Sequence, residues 1–201
     1  ARTYTLATFR TRCKRRADME NAEHISAAEW KSLIHEAYGE LWSVVNETGH
    51  RYFETSTTVT ATGAASYTEP VAHFATIAIT RVDGSYEYVL RELRPDEEVN
   101  YRGHVGPACK WTLVDDQLFL YPNPSSGSYK WYYQQQPTDL TAAADADVVD
   151  VVTPSGEAFL IWGVAALALS KSEADVRFAL SERERCRDRL MFDAANRNFP
   201  E

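Results

Sequence analysis

The spacing of apolar residues changes period twice along the chain, and this limits the folds open to it more than any other feature. Trp30, Leu33, Ile34, Ala37, Tyr38, Leu41, Trp42 and Val45 recur at helical intervals, which marks one face of an amphipathic helix. Its start is explicit. Ser26 and Glu29 form a capping box, in which the Ser hydroxyl accepts from the Glu29 amide and the carboxylate reaches back to the amide of Ser26. Ile25 can staple onto Trp30, and Gly49 is placed to end the helix. A shorter helix is expected before it, where Leu6, Phe9, Cys13 and Ala17 share a face opposite a cluster of Arg and Lys. From Arg51 to about Gln135 the period becomes two. Thr55–Thr62 reads as a strand with a turn at Thr62-Gly63. Asp83-Gly84 joins Phe74–Arg81 to Tyr86–Leu90, and Asp115-Asp116 joins Trp111–Val114 to Gln117–Tyr121, both as hairpins. Tyr129–Gln135 is a third aromatic strand.

Helical spacing returns after Gln136–Val152, an acidic, Ala-rich connector. Thr153 caps, and Pro154 takes the first helical position, where a missing N–H costs nothing. Ala158–Leu169 is apolar on almost every side, as the buried centre of a bundle would be. Ser172–Asp175 reads as the cap of a last helix reaching about Asn196, with Val176, Ala179, Leu180, Cys186 and Leu190 on its apolar stripe. Neither helical pair closes a core alone, so the two ends of the chain are expected to pack together. The fold class is therefore α+β: a helical bundle formed by N- and C-terminal helices with an inserted antiparallel β-domain of roughly six strands. The boundaries are residues 1–50 for the N-terminal helices, 51–135 for the β insertion, 136–152 for the connector and 153–201 for the C-terminal helices and tail.

Charge is unevenly placed. The chain carries a net −8, which speaks against general nucleic-acid binding. Yet Arg2, Arg10, Arg12, Lys14, Arg15 and Arg16 gather near one end, while Asp139, Asp145, Asp147, Asp150 and Glu157 occupy a stretch without a base. Opposite surfaces on one chain suit head-to-tail packing of identical subunits. Arg12, Lys14, Arg15 and Arg16 are accordingly candidate contacts to a neighbour. A second candidate surface lies at the other end, where Met191, Phe192 and Phe199 stud a polar segment. Such a segment orders on a partner, with the aromatics as anchors.

Catalytic chemistry has no counterpart in the pattern. Cys13, Cys109 and Cys186 are scattered and form no CxxC clip, so they read as reduced thiols of a protein assembled in the cytoplasm. His104 and Cys109 could lie close, but two ligands do not make a zinc site. Glu97-Glu98 and Asp115-Asp116 are neighbours whose side chains diverge on a strand, and the second pair fits a turn. No glycine loop cradles a phosphate. No apolar run approaches the roughly 20 residues of a membrane span. No catalytic, cofactor or metal residue is assigned. A small enzyme such as a hydrolase, the alternative of another class, would need clustered carboxylates or histidines.

With these residues in view, the chain resembles the head–tail connector adaptors of tailed bacteriophages, of the tail-tubular adaptor type. The resemblance rests on Leu6…Arg16, on Ile25-Ser26-Ala27-Ala28-Glu29 leading into Trp30…Leu41, and on Trp111-Thr112-Leu113 with Leu118…Pro124. It continues through Tyr132-Tyr133-Gln134, Pro137-Thr138-Asp139-Leu140, the Glu157–Leu169 helix and a charged final helix. It implies a structural virion protein rather than an enzyme, forming a homo-oligomeric ring of roughly twelve subunits beneath the portal protein. The ring would extend the DNA channel, pass DNA without sequence-specific binding, and present a platform for a stopper or tail protein. No cofactor and no membrane enter. The alternative within the virion is a stopper or tail completion protein, whose type is mainly β.

Overall fold

Helices and strands alternate as the hydrophobic period does. In the computed structural model, which describes residues 3–21, 24–47 and 51–197, a short strand β1 (Thr3–Thr5) precedes helices α1 (Leu6–Arg16) and α2 (Ala27–Glu47). There follow β2 (Glu54–Thr60), β3 (Tyr67–Thr68), β4 (His73–Asp83), β5 (Tyr86–Val89) and β6 (Arg91–Glu92). Then come β7 (Lys110–Val114), β8 (Gln117–Tyr121) and β9 (Ser128–Gln135). A short β10 (Val148–Asp150) leads into α3 (Pro154–Lys171) and α4 (Arg177–Arg197). The protein is thus mixed α+β. It divides into two compact units, Ala1–Tyr52 with Pro137–Glu201, and Phe53–Gln136.

In the helical unit, α3 packs against α1, α2 and α4. Its sequence explains the position, because Phe159, Leu160, Val164, Ala165 and Ala168 bury several sides at once. Thr153 caps it, accepting from the Gly156 amide at 3.0 Å. Gly163 lets α2 approach closely: a Cβ there would stand 3.4 Å from the Cβ of Ala37. The capping box of α2 is formed, with Glu29 accepting from the Ser26 amide at 2.7 Å and Ser26 from the Glu29 amide at 3.2 Å. Trp30, Ile34, Ala37, Tyr38, Leu41 and Val45 are buried as their period requires. Leu33 and Trp42 are half-buried, and Val44 joins the core instead. Gly49 lies outside the described residues.

Three features of this unit differ from the sequence reading. Ser172 does not open the last helix. It ends α3, donating its hydroxyl back to the Ala168 carbonyl at 2.7 Å, a bond that competes with capping the following segment. Asp175 caps α4, accepting from the Arg177 amide at 2.9 Å. The apolar stripe of α4 is also narrower than expected: Ala179, Cys186 and Leu190 are buried, but Leu180 is 42% exposed. The acidic connector is more than a linker. Its β10 pairs antiparallel with β1, Tyr4 opposite Val149, and Leu140, Val149, Val151 and Val152 are buried. Strands of three residues are too short to carry a readable period.

The β-unit holds two four-stranded sheets, ordered β2-β9-β4-β5 and β3-β8-β7-β6. Alternation assigns the faces. Along β9, Tyr129, Trp131 and Tyr133 are buried while Lys130 and Tyr132 face the other way. The three aromatics share one core with Ile79, Leu90, Ala108, Leu118 and Leu120. Polar tips in this core are satisfied: the Ala108 amide donates to the Tyr129 hydroxyl at 2.9 Å, and the Trp131 indole N–H donates to Thr76 at 2.9 Å. Eight strands replace the expected six, the additions being two-residue β3 and β6. Nor is the unit wholly antiparallel, since β6 runs parallel to β7. The chain changes sheets there: the Leu90 amide bonds the Ile79 carbonyl, and the next amide, of Arg91, bonds the Cys109 carbonyl. That crossing sends the strand on in its own direction beside a new neighbour.

Candidate interaction surfaces

The basic cluster sits on α1, whose Thr5 cap accepts from the Thr8 amide at 3.3 Å. Leu6, Phe9 and Cys13 bury one face, which turns the cations outward. Lys14, Arg15 and Arg16 occupy the last turn, where positive charge complements the carbonyl end of the helix dipole. Three of the four candidate cations are brought together: Arg12, Arg15 and Arg16 line a cavity of about 460 Å³ with Ile161, Trp162 and Phe178. The Arg16 guanidinium lies 4.7 Å from the Trp162 ring centre, within cation–π range, and Trp162 meets Phe178 edge-on at 5.5 Å. Lys14 is not part of this group; it lies 5.8 Å from the ring of Trp30.

The acids expected to face a neighbouring subunit are engaged within the chain. Arg10 binds both carboxylate oxygens of Asp145 at 3.1 and 2.9 Å, with Lys31 at 3.4 Å. Arg10 first, then Lys31, holds the Asp145 carboxyl below its ordinary range. Buried Glu157 pairs with Arg12 and accepts from the Tyr4 hydroxyl at 2.8 Å. Asp150 accepts from the Tyr52 hydroxyl at 2.7 Å, Asp147 from the Ala144 amide at 2.7 Å, and Asp139 from the Thr141 amide at 2.8 Å. The opposite-sign surfaces of the sequence thus neutralise one another partly at home: the connector runs beside α1, and burial of Glu157 demands a local cation. Arg15 has Glu20 at 2.8 Å, both largely exposed, a pair of the weakly held surface kind.

At the other end, Met191 and Phe192 lie in the last turns of α4, 38% and 68% exposed. Phe192 therefore does not fold back onto the helices. Phe199 lies outside the described residues. Trp162 and Phe178 are the surface residues that sequence reasoning missed. A helix apolar on all sides, such as α3, gives no clue to which residue faces outward.

Three of the residues weighed for chemistry, Glu97, Asp115 and Asp116, have structural roles. Asp115 and Asp116 sit at φ 49° and 60° in the turn between β7 and β8. Glu97 pairs with Lys110 at 2.6 Å and caps the Arg94 amide at 3.1 Å. Among the described residues, no group of three or more His, Cys, Asp or Glu side chains is placed to hold a metal ion. Among them, too, no helix is long and apolar enough to cross a membrane. The family model described as SU10 adaptor protein matches residues 4–198. No curated protein matches the chain.

Proposed function

The chain belongs to the SU10 adaptor protein family, and from that premise we propose that it is the structural head-to-tail adaptor of a tailed-phage virion. It assembles as a ring of roughly twelve copies beneath the portal, prolongs the DNA channel and carries the stopper or tail component. The observation that carries this reading is the extent of the family match, which takes in both the helical unit and the β-unit. A bundle of the N- and C-terminal helices forms the ring body. DNA passes without sequence-specific contact, in keeping with a net charge of −8.

A ring needs two unlike surfaces on each copy. The cationic cavity of Arg12, Arg15 and Arg16 is one candidate contact to a neighbour or partner ring, and Lys14, outside that cavity, is another. Met191, Phe192 and Phe199 are the candidate contact to the portal, and the exposure of Phe192 supports that role.

The test is genetic and structural. Particles made without this chain should fill with DNA but stay tailless or leak, and added purified chain should restore tail joining. Electron microscopy of complete particles should then place a ring of this chain directly under the portal. Density further down the tail axis would make it a stopper or completion protein. Normal infectious particles without the chain would sink the reading.

A further inference from the structure

Sheet β2-β9-β4-β5 has β2 and β5 as its two outer strands. Neither strand contains Lys or Pro, two of the residues by which proteins blunt a free edge. On β5, Tyr86, Tyr88 and Val89 are 71%, 49% and 72% exposed. We propose that β5 of one copy pairs with β2 of the next, so that neighbouring β-units join into a continuous sheet. The proposal rests on the ring reading above and names the contact that closes it.

Direction, bonding phase and side chains all agree with this occupant. Each neighbouring pair in the sheet is antiparallel, so β2 and β5 run in opposite directions. Rotation about a ring axis preserves that relation, and β2 of the next copy arrives antiparallel to β5. The Ala61 amide bonds the Gly127 carbonyl opposite it, and the Leu90 amide bonds the Ile79 carbonyl opposite it. Bonding alternates along an antiparallel strand. Thr57 and Val59 therefore bond inward, which leaves the backbone of Ser56 and Thr58 facing out; likewise Tyr86 and Tyr88 bond inward, and Glu87 and Val89 face out. Setting Val89 opposite Ser56 and Glu87 opposite Thr58 makes both of these hydrogen-bonded pairs. The same register sets Tyr88 against Thr57 and Tyr86 against Val59, aromatic residues against β-branched ones, which are favourable cross-strand partners.

The experiment uses the full chain. Val89→Pro removes an outward amide without touching the β4–β5 hydrogen bonds, and Thr58→Pro does so on the opposite edge. Sedimentation velocity should show the wild type at ring mass and each variant near the protomer mass of 22.7 kDa, with unchanged circular dichroism. Ser56→Cys with Val89→Cys, in a Cys109→Ser background, should give a ladder of covalent multimers on oxidation, because a hydrogen-bonded pair holds its Cα atoms about 5.5 Å apart, within disulfide reach. The single variants should give none. If the wild type forms rings, but the proline variants also do and the cysteine pair yields no ladder, the edge pairing is wrong and the ring reading stands. A wild-type chain that remains a protomer, alone and with portal, overturns both.

Discussion

Gly156 stands two residues into α3, and a Cβ placed on it would lie 2.4 Å from the carbonyl oxygen of Val151. Backbone cannot yield as a side-chain tip can, so Gly156→Ala should cost about 1–3 kcal/mol, the range for overpacking. The urea midpoint should fall with its slope unchanged; an unaltered midpoint would mean the Thr153 cap shifts freely. The turn between β7 and β8 offers the opposite sign. Asp115 and Asp116 both occupy left-handed backbone, the type I′ conformation that favours Gly at its second position. Asp116→Gly should therefore stabilise the protein by about 0.5–1 kcal/mol by relieving a side chain from that region, again read at the midpoint. Residue-scale legibility was uneven for a physical reason. Arg12, Arg15 and Arg16 were readable because charge clusters in sequence. Their partners Trp162 and Phe178 were not, because they reach the cavity from other helices.

The capping box of α2 was readable from Ser26 and Glu29 alone, since a cap is a local device. Its second use was not. Glu29 also binds Lys171 at the end of α3, and that bond, ahead of those from Ser26, lowers its pKa from 4.5 to about 2. A carboxyl depressed on folding contributes stability that is fully present above its unfolded value and lost as pH falls through its folded one. The gap in melting temperature between wild type and Glu29→Gln should therefore hold steady above pH 5 and close between about pH 4.5 and 2. A gap that persists at pH 2 would show that the carboxylate charge is not what Gln lacks. Phe192 is exposed, so Phe192→Asp should leave the melting temperature within a degree or so of wild type, as surface substitutions do, while joining of tails to filled heads falls at least tenfold. Equal joining would remove α4 from the portal contact. The strands that escaped sequence reading, β1, β3, β6 and β10, share one property. Each is two or three residues long, and its partner strand rather than its own pattern holds it in place.

At the scale of the whole molecule, the helical unit is assembled from two segments far apart in sequence, and the β-unit intervenes. Period alone suggested such an insertion, because helices at both ends lacked a core of their own. The α3 contacts give the reason, as it packs on α1 and α2 from the first segment and α4 from its own. The β-unit returns the chain to where it left: Glu54 at the start of β2 is directly opposite Gln134 near the end of β9, a separation of roughly 5 Å. Replacing Phe53–Gln136 by a flexible linker of a few residues should then close the helical unit without strain, and a shorter loop lowers the closure entropy by only about 0.6 kcal/mol for each halving. The shortened chain should melt cooperatively with the far-ultraviolet signature of helix. By contrast, a fragment ending at Tyr52 has no α3 to cover Trp30, Ile34 and Leu41 and should remain unfolded. A shortened chain without a cooperative melt would mean that the helices need the β-unit to fold.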